Sequence, residues 1–345
     1  MFLRKNRWYE DLVLTVSKIF FLVCFFSGLN GLNQEVMARD IFVDNIRGND
    51  EFTGWNTAIN ADGNGPVRTI RRALELARAG DRIVLAKNEE PYRESVTFIG
   101  KNHSGALSGP FILEGNGAIL DGSVEINPEL WKFYGNGIFY FRPKYIAYQN
   151  LFLNGKPLSR AEVPGHEIPE IKLERMQWCM HEGNLLFKPE REHLPGDFPL
   201  RCAGMKCGIT LIHVEGVEIR DLIVQGFQHD GIAAANSARN VFLNRVKLRG
   251  NARAGLSVGG ACSVWIMNSV LGDNNAVQLW TERHSRTEIK NSELLSNTAA
   301  GWLDHGGVVM MDGKEIKGGL DERERFRSEE NQKSEHVEVS LVEKE

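Results

Sequence analysis

At 345 residues, with a formal net charge of −4 and 25% charged residues, the chain has the composition of a folded globular protein rather than a disordered one. It has no basic helix and no Lys/Arg block after the first residues, which argues against nucleic acid as a partner. Its 35 glycines point to many tight turns rather than long helices.

The chain opens as an export signal. Arg4, Lys5, Arg7 and Lys18 form a basic stretch, Ile19 to Phe26 an unbroken apolar run, and Val36-Met37-Ala38 a segment of small or aliphatic residues suited to cleavage. Residues 1–38 therefore read as a signal peptide, or as an anchor if uncut, and the mature chain as periplasmic, cell-surface or secreted. A membrane is a partner only in the uncut case. Cys24 follows Val23, which is poor for a lipid attachment site. Four cysteines come later: Cys179, Cys202, Cys207 and Cys262. In an oxidising compartment Cys202 and Cys207 could close a small loop, while the others read as small buried hydrophobes. Their spacing is not that of a zinc site.

From Arg39 the pattern is one of short strands. After Ile41-Phe42-Val43 and a loop rich in Gly, Asn and Asp, the residues Ile70, Ala73, Leu74 and Ala77 fall at helical spacing. Thr69 is placed as N-cap and Gly80 as the stop. A short amphipathic helix here would cover the open end of a stack of coils. Strands follow at Arg82 to Ala86, Val96 to Phe98, Phe111 to Leu113 and Ala118 to Leu120. The stretch of about 125–200 differs, with most of the prolines, Trp131, Trp178 and hairpin turns such as Asn154-Gly155. It reads as a β-rich insertion of antiparallel hairpins.

From Ile209 to Gly307 the sequence repeats. Aligning GVEIRDLIVQGFQHDGIAAA, RNVFLNRVKLRGNARAGLSV, CSVWIMNSVLGDNNAVQLW and RTEIKNSELLSNTAAGWL superposes Asp221, Asn244, Asn268 and Asn291. One coil of that size cannot bury an apolar face alone, so each strand must pair in parallel with its equivalents in neighbouring coils. Asn and Asp would hold the corners, and stacked Asn residues (Asn244, Asn251, Asn268, Asn291, Asn297) would form amide ladders. The fold class is thus all-β, a right-handed parallel β-helix over 39–312 with an N-terminal capping helix and a side insertion. After Gly307 the pattern fails, and 313–345 reads as a charged, disordered tail.

Several of these segments resemble the pectin-lyase-like superfamily of right-handed β-helix proteins, many of them carbohydrate-active. The segments are FVDNIRGNDEFTG, GPVRTIRRALELARAGDRIVLA, PYRESVTF, ILEGNGAILDGS, LFLNGKPLSRAEVP and the coils from Ile209, which together span most of 40–307. The resemblance implies a polysaccharide partner lying along an outward strand face. It does not select among lyase, hydrolase and epimerase, since fold alone does not name a reaction.

On that face the third strand of each coil would expose Ala233, Ser257, Gln278 and Trp302 if Ile232, Leu256, Val277 and Leu303 point inward. Trp280 and Trp302 could stack on sugar rings, with Gln278 and Arg253 as further binding residues. The catalytic candidates at the strand edges are Asp304, His305, Glu282, Asp230 and His229. A lyase would need a cation beside a uronate, for which Arg253, or Ca²⁺ held by Asp273 and Asp304, could serve; the dense acidic cluster of calcium-dependent relatives is not evident. A hydrolase would need two carboxyls across the scissile bond, for which Glu282 and Asp304 are candidates. Asp304 could also orient His305 as an acid or base. Each of these residues has an ordinary alternative as a solvated turn or packing residue. Three functions follow: a polysaccharide lyase or hydrolase, a non-catalytic glycan-binding or envelope protein, and a shortened inactive relative, each expected to be a monomer.

Overall fold

The computed structural model describes residues 38–144, 148–161 and 171–318. Residues 1–37 of the segment read as an export signal and residues 319–345 of the expected tail lie outside the described residues; the described start of that tail is not disordered, since Lys314–Ile316 form a strand. Among those described, no helix is long and apolar enough to cross a membrane.

The chain winds as a solenoid whose coils feed two parallel sheets. One sheet takes Arg82–Leu85, Phe111–Asp121, Glu215–Gln225 and their successors in later coils, and the other takes Val96–Ile99, Ile209–Ile212, Asp230–Ala235, Ala254–Val258, Val277–Glu282 and Ala300–His305. Period-two patterning sends alternate side chains inward. Leu113, Ile219, Leu243, Ile266 and Ile289 stand in one register column, all fully buried, and Val96, Ile209, Ile232, Leu256, Leu279 and Trp302 form the facing column. Each such aliphatic side chain removes enough apolar surface from water to stabilise the fold by about 1.5–3 kcal/mol. These residues belong to one continuous core.

Corners are left-handed. Asn116, Asp221, Arg245, Asn268 and Asn291 all have φ near +50°, a region Asn and Asp tolerate best. The corner of the second repeat is therefore Arg245, one residue beyond the Asn244 that the sequence alignment selects. Asn244 instead pairs in register with Arg220 and Met267. Arg245 repays its unfavourable backbone by gripping Asp221 of the preceding coil at 2.5 and 2.6 Å. The expected amide ladder still forms, with Asn268 donating to Asn244 and Asn291 to Asn268 at 3.1 and 2.7 Å. A second, buried ladder runs inside the next turn, where Asn251 Nδ2 donates to Asn274 Oδ1 at 3.0 Å. The third rung there is Gln278, whose Oε1 accepts from Asn274 Nδ2 at 2.8 Å.

A helix covers the first coil. The helix Ile70–Leu76 starts with Thr69 accepting from the Arg72 N–H and lays Ile70, Ala73 and Leu74 over the first coil. It ends at Leu76, earlier than Gly80, which makes the turn into the next strand with φ +79°. At the far end Trp302 plugs the interior, its indole N–H on Thr281 Oγ1 at 2.8 Å. Strand Val308–Met311 then folds back on itself as the antiparallel Lys314–Ile316.

Residues 123–203 leave the solenoid between two of its strands as a pair of four-stranded antiparallel sheets. Trp178, Phe187, Phe141 and Leu151 form one core there, and Ile138, Cys179 and Leu186 another. The insertion stands against the turns of later coils. Asn150 Nδ2 donates to the Gly250 carbonyl at 3.3 Å, Gln228 Nε2 to Ala203 at 3.3 Å, and Asn275 Nδ2 to Gln149 at 2.9 Å. Gly250 is needed at that junction: φ is +64°, and a Cβ would lie 3.0 Å from the Phe152 ring. All four later cysteines are free, so the Cys202–Cys207 loop is not closed by a disulfide.

Candidate functional site

The outward face of the six-stranded sheet gathers most of the polar candidates. Register runs Thr210, Ala233, Ser257, Trp280, Leu303 along one outward column. Trp280, half-buried, is thus the aromatic residue of this face, and Trp302 is not: it is 1% exposed, in the column of Leu279. The sequence alignment of the last coil is off by one residue, which reverses every side chain. Gln278 is likewise not a surface residue. It is fully buried at the position that Gly231, Gly255 and Gly301 hold in the other coils, and its amide turns back into the Asn274 turn. Glycine elsewhere in that column reflects crowding, since a Cβ on Gly231 would lie 2.7 Å from Asn251 Nδ2 and 2.8 Å from the Gly255 carbonyl.

Around Trp280 the side chains interlock. Asp230, 2% exposed, receives the Arg253 guanidinium through both oxygens, with Nε at 2.8 Å, and the Ser257 hydroxyl at 2.9 Å. Three charge-assisted hydrogen bonds hold this buried carboxylate as an acceptor and immobilise the arginine. Arg253 lies over the Trp280 ring, 5.3 Å from its centroid, and His305 packs on the same indole at 4.4 Å. The Trp280 Nε1 is buried with no hydrogen-bond acceptor among the described residues. His229 meets the Tyr148 ring edge-on at 5.8 Å. Its pKa is lowered, first by burial and then by the positive charge of Arg253, so the neutral imidazole is favoured. Burial raises the thiols of Cys179 and Cys202 to about 11, which removes them as nucleophiles at neutral pH.

Asp304 does not join this group. Its register partner is Thr281, whereas His305 pairs with Glu282, and adjacent strand residues face opposite ways. Asp304 Oδ1 accepts the Gly306 N–H at 2.7 Å. Neither the Asp304–His305 dyad nor the Glu282–Asp304 carboxyl pair is therefore assembled. Glu282 and His305, both exposed, are instead neighbours in adjacent coils. Asp273 is held by the Asn297 amide at 2.7 Å. With Asp304 turned away, the residues considered for Ca²⁺ do not fit such an ion. Among the described residues no group of three or more His, Cys, Asp or Glu is placed to hold a metal.

Sequence reasoning missed Tyr148, which comes from the insertion, and the role of Ser257 as third partner of Asp230. Asp230 and Arg253 were expected separately, as a catalytic and a binding residue; the structure joins them as a pair 23 residues apart. The insertion makes the second wall of the site. Between it and the coil turns lies a cavity of about 870 Å³, lined by Ser159, Arg160, Met180, Asn275, Thr298 and Leu303 among others. A smaller space of about 250 Å³ beside Tyr148 shares Arg160, Met180 and Asn275 with it.

A family model for the right-handed β-helix region matches residues 207–317. No curated protein sequence matches the chain significantly. Among solved structures, a glycoside hydrolase shares 12% identity with a TM-score of 0.54, over 74% of this chain and 73% of its own. A complex of XylC with xylose shares 11% at a TM-score of 0.39, over 82% and 73% of the two chains. Pectate lyase Pel9A shares 10% at 0.40, over 82% and 65%. With its parallel register and stacked side-chain ladders, the described chain folds as a parallel β-helix, and residues 207–317 match the right-handed β-helix region.

Proposed function

We propose that the chain is an exported protein that engages a polysaccharide along the outward face of the six-stranded sheet. The observation that carries this reading is Trp280, half-buried in the outward column, with Arg253 over its ring and His305 packed against it. A rigid indole with charged and imidazole donors beside it suits a sugar ring, whose axial hydrogens stack and whose hydroxyls need partners. The carbohydrate-acting proteins among structures of similar fold are consistent with it. Recognition is favoured over hydrolysis by a carboxyl pair, because Asp230 is tied down by Arg253 and Ser257 and Asp304 faces away.

A second reading, catalysis, draws on Glu282 and His305. Both are exposed, they are register partners, and they flank Trp280, so they could act as base and acid on a bound chain.

One experiment separates these readings. The mature chain from Arg39 is tested against neutral and acidic polysaccharides for retardation in affinity gels, and products are sought by mass spectrometry with and without a chelator. Binding should weaken about tenfold or more in Trp280→Ala. Unsaturated ends would identify a lyase and added water a hydrolase, and either activity should vanish in Glu282→Gln while binding persists. If no polymer retards the folded wild-type chain, the proposal fails. Amino-terminal sequencing of the protein recovered from cells tests export.

A further inference from the structure

The cavity between insertion and coils is not on the path of a chain lying over the outward column. Its coil-side lining comes from the turns that precede each outward strand: Asp273, Asn275 and Ala276 before one, and Asn297, Thr298 and Ala299 before the next. The opposite wall is the insertion, through Ser159, Arg160, Ala161 and Met180. Leu303 belongs both to this lining and to the outward column, next in register after Trp280. The space therefore adjoins the outward column at Leu303, beside Trp280.

Its walls are fixed before any ligand arrives. Asn275 is bonded to the insertion backbone at Gln149, Asn150 ties the insertion to Gly250, and Thr298 Oγ1 donates to the Asn274 carbonyl at 2.6 Å. The lining mixes amides, hydroxyls, one guanidinium and one carboxylate with the apolar surfaces of Met180, Leu303 and Pro157. That combination suits a group bearing many hydroxyls and an apolar ring face, and a volume of about 870 Å³ holds more than one sugar residue.

Resting on the polysaccharide reading above, we infer that this lateral cavity is a subsite for a side branch, so that the preferred ligand is a branched polysaccharide. The main chain runs over Ser257, Trp280 and Leu303, and a branch of one or two sugars turns into the cavity. Specificity for branching is thus supplied by the insertion together with the coil turns that face it.

The test compares a polysaccharide carrying single-sugar or disaccharide branches with the same backbone after enzymatic debranching, both titrated against the wild-type chain. Two variants fill the cavity from opposite walls, Ala276→Trp and Ala161→Trp, each checked for an unchanged melting temperature. The wild type should bind the branched polymer about tenfold or more tightly than the debranched one. Either filling variant should erase that difference while leaving affinity for the debranched backbone unchanged. Trp280→Ala should weaken both polymers alike. Equal binding of the two polymers by the wild type, or a preference that survives both filling variants, overturns the branch subsite while leaving the Trp280 reading intact. Loss of all binding in the wild type overturns both.

Discussion

The coils and the insertion are built on opposite logics. In the coils from Ile209 onward strands pair in parallel with residues about 23 positions away, so no coil has a core of its own. Its Ile, Leu and Val are covered only by the coil above and the coil below. In the insertion, strands pair antiparallel with near neighbours, as Gln177–His181 does with Asn184–Lys188, and a local core forms around Trp178. The first arrangement makes a long rigid face with a fixed column spacing. The second makes a compact wall that can stand beside that face. The candidate site needs both, since Trp280 comes from the first and Tyr148 and Arg160 from the second.

This contrast can be broken most severely by removing one anchor from each part. Trp178→Ala should cost about 3–5 kcal/mol. The loss should be local: hydrogen exchange should accelerate across 132–188 while the amides of 239–289 stay protected. Leu256→Ala, which empties a fully buried column position, should cost about 2–5 kcal/mol and lower the unfolding midpoint of the whole solenoid. If Trp178→Ala unfolds the coils as well, the two regions are a single cooperative unit and the contrast is wrong.

A smaller effect sharpens the account of the coils. Asn274→Ala leaves the Asn251 side-chain amide and the Gln278 carbonyl oxygen without their shared partner in a buried turn. The expected loss is about 1–3 kcal/mol by denaturant titration, whereas exposed Asn291→Ala should cost well under that. Equal losses would mean that the inner ladder is no more important than the corner ladder.

The smallest effect lies where the regions meet. His229 has a pKa below its ordinary value, so the folded state binds fewer protons than the unfolded chain. Stability then rises with pH from the depressed folded value up to about 6.5 and is level above it. It is lost as pH falls through that window. Nuclear magnetic resonance titration should place His229 below the value of a histidine in the unfolded chain. The pH dependence should flatten in His229→Gln, and a His229 titrating at or above the unfolded value would remove this term.

Repetition was what made the fold readable. Inward aliphatics at period two, Asn or Asp corners and a spacing near 23 can satisfy their backbone and apolar groups together only by stacking, and the helix from Ile70 with its Thr69 cap follows from local rules alone. The site was readable in part, because Asp230, Arg253 and Trp280 could be assigned to the edges of one strand column, though not which of them touch.

What the chain's order could not decide was phase. Turns of slightly different length, 23 residues or 24, shift the strand after them by one residue. That shift put Arg245 rather than Asn244 at a corner and turned Trp302 inward. Nor could it place the insertion, whose contacts with Gly250 and Asn275 join residues about a hundred positions apart. Local sequence determined which residues are strand, corner and cap, because those depend on near neighbours. Tertiary structure decided which side chains share the groove, because only packing between coils and insertion sets register and distance.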